Sequence, residues 1–316
     1  MENFIFAVSV VLPLFMLIAL GYFLMRINVF TDEYVAKTNK ICFRVFLPVM
    51  IFINIIYSRE EIGYEFATIR FVAITSVALV VIFMIVVPML EKDNFKRGTI
   101  VQALYRSNSV LLGIPLILNM YGPAGLAPMA VVLAVVVPLY NTLAVLVFSI
   151  FNNLDKSFLY TMKKILKDLV TNPLIIASVL ALCVVAFNIR LPYLIEQTAH
   201  SLAIVAPTLA LIALGGSFKF KKAFKNAKYI VPISIIKMIV NPIILITIAV
   251  LTGFYGARLA AIMILYCAPV AVSSQVTAQE MGADGELAGQ LTVVTSMVSC
   301  FTIFGFIYVL SSMNLL

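Results

Sequence analysis

Four polar residues stand together inside a long apolar run: Arg106, Ser107, Asn108 and Ser109, with Gly113 and Pro115 a few positions on. A second group, Ser273, Ser274 and Gln275, follows Pro269 in another apolar run. These side chains donate and accept hydrogen bonds, and one brings a positive charge. Such a set can hold an anion. It does not break bonds, because no nucleophile stands beside a base. Proline removes a backbone donor and clashes with the carbonyl four residues back, and glycine eases a bend. Gly113, Pro115 and Pro269 are therefore read as helix breaks, with Asn108, Ser109, Ser273, Ser274 and Gln275 as binding groups beside them. Unpaired backbone groups cannot face lipid, so both runs belong in the protein interior. The freed amides, carbonyls and helix-end dipoles can then meet an ion or a carboxylate.

The elements that position these groups follow from composition. Of 316 residues, 63% are hydrophobic and 11% are charged, against about 25% charged in a soluble domain. One core cannot hide that much apolar surface, whereas a bilayer can. Runs long enough to cross about 30 Å of hydrocarbon are read at 4–25, 35–57, 67–89, 98–120, 125–150, 173–189, 198–217, 229–251, 258–279 and 288–311. Basic residues orient them. Arg26, Lys37, Lys40, Arg44, Lys92, Lys96, Arg97, Lys156, Lys163, Lys164, Lys167, Lys219, Lys221, Lys222, Lys225 and Lys228 fall on one side. Arg59, Arg70, Arg190 and Arg258 fall on the other. The richer side is expected to be cytoplasmic. A multi-pass protein of the cell (inner) membrane follows, with both termini extracytoplasmic. The positive charge sits in short loops, so nucleic acid is not an expected partner; the bilayer is. Cys42, Cys183, Cys267 and Cys300 form no CxxC, His200 is the sole histidine, and no glycine-rich phosphate loop occurs. An enzyme, a metal site and a cofactor are not expected.

The chain also resembles itself. Pro13 to Pro48 spans 35 positions and Pro173 to Pro207 spans 34. Pro48 to Gly122 spans 74, and Pro207 to Gly282 spans 75. The strings "NMYGPAGLA" and "QEMGADGELA" echo one another at the last landmark. Two repeats are expected, 1–151 and 173–316, joined by a cytoplasmic linker at 152–172. Five spans per repeat make the second copy enter from the opposite side, a device of secondary transporters. The fold class is thus an all-α polytopic membrane protein: ten transmembrane helices in two inverted five-helix repeats, with the fourth and ninth broken.

Other polar residues admit two readings. Arg106 either snorkels to the cytoplasmic surface or draws an anion to the centre. Lys237, one turn before Asn241, is either a ligand or gating group or a structural cation. No Asp or Glu lies near the middle of a span, so a coupled proton would travel on Glu280 or on the substrate carboxylate. Asn54, Tyr140 and Asn141 are candidates to line the site. Thr292, Thr295, Ser296 and Ser299 read as ordinary helix packing, and Pro138, Pro232 and Pro242 as kinks.

"YRSNSVLLGIPLI", then "YGPAG", with "FLPVMIFINI" in the second span, resemble the auxin efflux carrier family, also called PIN-like. The likeness is to its compact prokaryotic members, described as auxin efflux carriers or malate and malonate permeases. The fold is more distantly similar to bile-acid sodium symporters and sodium/proton antiporters. This resemblance implies a scaffold and a transport domain, and spans four and nine crossing near Pro115 and 273–275. It also implies elevator motion and a homodimer through the scaffold spans. By the same resemblance Asn108 is a substrate-site residue. The family often has a proline at the ninth-span break; here Gln275 stands at that offset. The expected function is secondary transport of a small organic anion, a mono- or dicarboxylate of auxin-like or malate-like type. A sodium-coupled symporter and an anion channel are the alternatives, with Na+ or H+ as the possible coupling ion.

Overall fold

In the computed structural model the described residues are 1–57, 66–151, 170–171, 173–218 and 226–316. The expected linker at 152–172 lies outside them apart from Val170 and Thr171, as do the loop bases Arg59, Lys156, Lys163, Lys164, Lys167, Lys219, Lys221, Lys222 and Lys225.

The described residues are helical, with no β-sheet among them. Seven helical stretches are long and apolar enough to cross a membrane: Glu2–Arg26, Asp32–Tyr57, Phe66–Leu90, Leu126–Phe151, Tyr193–Gly216, Ala227–Leu251 and Gly285–Ser312. We label these α1 (Glu2–Arg26), α2 and α3 (Asp32–Ile41 and Leu47–Tyr57), and α4 (Phe66–Leu90). The interrupted fourth run is α5 (Asn94–Tyr105) and α6 (Ser109–Tyr121), followed by α7 (Leu126–Phe151). Next come α8 (Pro173–Ala186), α9 (Tyr193–Gly216), and the pair α10 and α11 (Ala227–Ile235 and Asn241–Leu251). The interrupted ninth run is α12 (Gly256–Cys267) and α13 (Ser273–Glu280), and α14 (Gly285–Ser312) ends the chain. The runs read at 98–120 and 258–279, expected to be broken, are two short pieces each.

Local chemistry sets these ends. Asp93 opens α5 by accepting from the Phe95 N–H, and Asp284 opens α14 by accepting from Leu287 N–H, as helix N-caps do. Gly122 and Gly282, the matched landmarks, have φ of 61° and 68°. Both close the second piece of an interrupted run in a conformation that costs other residues strain.

Two π turns join the paired helices, Cys42–Phe46 between α2 and α3 and Ile236–Val240 between α10 and α11. Each precedes a proline. Pro48 and Pro242 supply no N–H for the carbonyls of Arg44 and Met238, so the ladder slips to a wider register. The N–H of Leu47 reaches Cys42 O, and that of Asn241 reaches Ile236 O.

The interrupted runs lie inside. Every residue from Leu259 to Cys267 of α12 is buried, and so is every residue from Gly98 to Tyr105 of α5. By contrast α1 and α4 turn Phe4, Leu12, Met16, Phe23, Ile74 and Ile85 outward, an apolar face suited to lipid. Helix α3 packs on α8 and α9, α1 packs on α9 and α14, and α4 packs on α5 and α7. The start of α5 is tied to the start of α14, where Thr99 Oγ1 donates to Asp284 O over 3.2 Å.

Candidate functional site

Both interrupted runs open into extended backbone, and the two openings touch. Helix α5 ends at Tyr105, and Arg106 adopts φ −77° and ψ 122°. Helix α12 ends at Cys267, and Ala268 adopts φ −66° and ψ 141°. Ser107 and Val270 form an isolated antiparallel bridge, and Asn108 N–H donates to Pro269 O over 2.7 Å. The crossing therefore sits at Ser107 and Val270, not at Pro115 and 273–275. Gly113 and Pro115 are not breaks. They lie buried inside continuous α6, with Gly113 pressed against Met129 of α7 and Ile264 of α12. The physical reason is that a proline forfeits one hydrogen bond, which a protein-surrounded helix tolerates. A true opening frees several backbone groups, and it forms where other elements can satisfy them. Pro269 does lie in the α12–α13 opening.

Those partners are specific. Asn241 Nδ2 donates to Leu104 O over 3.0 Å. Lys237 Nζ donates to Ser107 Oγ over 2.6 Å and to Tyr105 O over 3.4 Å. Both come from the π turn and the helix after it, and they cover the carbonyl end of α5, where the helix dipole is negative. On the other run, Thr295 Oγ1 accepts from Val270 N–H over 3.1 Å, and Thr292 Oγ1 donates to Ala271 O over 3.4 Å. Thr75 of α4 and Tyr266 of α12 join their hydroxyls.

A cavity of about 160 Å³ lies beside the crossing, lined in part by Phe43, Arg106, Asn108, Ser109, Asn141 and Ser273. The Arg106 side chain is held from α7 and α13: its Nη2 donates to Asn141 Oδ1 over 2.8 Å and to Ser273 Oγ over 3.0 Å. Its Nη1 is buried without a partner, and so is Asn108 Nδ2. The N-terminal ends of α6 and α13 reach the same cavity through Ser109 and Ser273. Among the described residues no carboxylate lines it.

Seven of the residues singled out in the sequence thus meet: Arg106, Ser107, Asn108, Ser109, Tyr140, Asn141 and Ser273. Others stand apart. Lys237 does not line the cavity and reaches it only through its bond to Ser107. Ser274 is buried, while Gln275 is exposed with its amide against Gly289 of α14. Asn54 lines a second cavity of about 550 Å³ together with Met50, Tyr57, Leu118, His200 and Pro207. Glu280 ends α13, and its side chain is outside the described part of the structure. Phe43, Thr295 and Thr292 were not among the residues singled out as binding groups. Pro48 and Pro242, each just after a π turn, were the available signal for Phe43 and for the position of Lys237.

Interior polar breaks in an all-α membrane protein are what transporters and channels build around their sites. A family profile described as membrane transport protein matches residues 6–307, and the chain belongs to that family. It is also similar to an uncharacterized transporter of Methanocaldococcus jannaschii, 23% identical over 308 residues, covering 93% of this chain and 96% of that one. The chain is a secondary transporter rather than an enzyme, and the family-level resemblance to the auxin efflux carriers stands.

Proposed function

We propose that this chain is a secondary carrier for a small organic anion, a mono- or dicarboxylate, and that the crossing cavity binds it. The supporting observation is the pair of buried, unpartnered donors, Arg106 Nη1 and Asn108 Nδ2. A buried donor without an acceptor is costly, and an arriving carboxylate relieves both. Asn141 and Ser273 use the other guanidinium nitrogen and hold the fork in place. Two helix N-termini add partial positive charge. The cavity of about 160 Å³ is well below the roughly 300–1,000 Å³ of pockets for drug-sized ligands, which suits a short-chain acid better than a large amphipath.

In this reading the chain crosses the membrane ten times, as two oppositely inserted sets of five. Supporting it are the matched landmarks, the two interrupted runs in matching places, and the shared turn conformation at Gly122 and Gly282. The two cavities lie toward opposite ends of α6, one at Ser109 and the other at Leu118, and both border the second span. Sliding the crossing body along the Phe43–Tyr57 face would expose the anion to each side in turn, an elevator motion. The two exposures must stay close in free energy for turnover.

The test is counterflow in proteoliposomes with a panel of radiolabelled carboxylates, with and without sodium or pH gradients. Saturable exchange of a small carboxylate is expected. Conductance without exchange would make the protein a channel and overturn the carrier reading.

A further inference from the structure

Lys237 is a second buried cation, and the anion cavity does not use it. Its side chain is 1% exposed, and among the described residues it has no carboxylate partner. A lysine ammonium at this depth is expensive. Helix capping alone does not account for it, since Asn241 covers the neighbouring carbonyl with a neutral amide. What Lys237 adds is charge, set against Tyr105 O and Ser107 Oγ at the negative end of α5. Carbonyl ends of interrupted membrane helices are where transporters hold monovalent metal ions. The oxygens of such a cage are present: Leu104 O, Tyr105 O, Ser107 Oγ and the Asn241 amide. The ammonium contacts two of them, Tyr105 O and Ser107 Oγ, while Leu104 O accepts from the Asn241 amide beside it.

We propose that Lys237 is a tethered cation standing in the place of a coupling metal ion. Its ammonium fills the oxygen cage at the end of α5, so the protein needs no sodium there, and removing the ammonium uncovers a site for a free monovalent cation. Ser107 links the two sides of the crossing. Its hydroxyl accepts from Lys237, and Ser107 itself lines the anion cavity beside Arg106 and Asn108. The fixed charge thus supports the anion site through the 106–108 backbone. That last step rests on the carrier reading above; the cation cage does not.

The experiment measures binding of 22Na+ and thermal stability of the purified full-length protein, in sodium chloride against choline chloride at equal ionic strength. Wild type is expected to bind no sodium saturably and to melt at the same temperature in both salts. Lys237→Ala is expected to bind 22Na+ saturably, to be stabilised by sodium, and to release it to methylammonium, which refills the cage. Lys237→Gln keeps most of the stem and is the variant to read if the alanine protein does not fold. Lys237→Met fills the space without polarity and should bind none. Saturable sodium binding by wild type that is unchanged in the variants would overturn the proposal. So would folded alanine and glutamine variants that bind neither sodium, potassium, lithium nor methylammonium. In liposomes, carboxylate uptake by Lys237→Ala should rise about tenfold when choline is replaced by sodium, a response that a purely structural lysine would not produce. A wild type that transports no carboxylate would sink the carrier reading and leave the binding result standing.

Discussion

The two helix openings meet the same backbone demand with opposite chemistry. At the α5–α6 opening the partners are Lys237 and Asn241, with the Asn108 N–H bonded to Pro269 O. At the α12–α13 opening they are the hydroxyls of Thr292 and Thr295 on α14. Each opening exposes the carbonyl end of one half-helix and the amide end of another. Hydroxyls suffice to satisfy such groups. Of the two cations near the α5–α6 opening, Arg106 lines the cavity, which residues of both openings border, and Lys237 does not. On the carrier reading proposed above, the neutral opening holds shape and the charged one also sets what can bind.

Substitutions at the two openings would break or sharpen that contrast. The largest effect is expected at Arg106. Truncating one member of a buried charged pair costs about 2–5 kcal/mol, so Arg106→Ala should lower carboxylate uptake at least about 30-fold at equal protein level. Lysine there should rescue little, lacking the planar fork. Wild-type flux in Arg106→Ala would remove the distinction between the openings. Next comes Asn108→Ala, with one donor lost from the cavity and apparent affinity weakened by about 1–2 kcal/mol while the melting temperature holds. Thr295→Val tests the neutral side. It strands the buried Val270 N–H and should cost about 1–3 kcal/mol of stability, read by thermal unfolding, with apparent affinity for the anion unchanged. Asn241→Ala leaves one carbonyl of α5 uncovered and should cost about 1 kcal/mol in the same measurement. The smallest effect is expected from Gln275→Ala. That side chain is exposed and points to Gly289, so uptake and melting should match wild type.

Much of this was legible in the chain. The polar tetrad 106–109 had no reason to sit in a lipid-facing helix, so an interior location followed from backbone polarity alone. The matching clusters at 106–109 and 273–275 marked the interrupted runs correctly. The break point was misplaced because proline is the loudest local signal, and a single missing N–H is a small defect in a helix that protein surrounds. The true openings needed partners distant in sequence: Pro269 for Asn108, Lys237 and Asn241 for α5, and Thr295 for Val270. The threonines of α14 illustrate the same limit. Their helical spacing is that of plain packing, and only their position against the opening gives Thr295 its role.

Composition and hydropathy by themselves determined that this is a helical membrane protein with polar, interrupted segments inside, because lipid tolerates no unsatisfied backbone. Tertiary structure alone decided where those segments open, which cation lines the cavity and which does not. Those choices depend on which buried donor finds an acceptor, and the acceptors come from helices more than a hundred residues away in the chain.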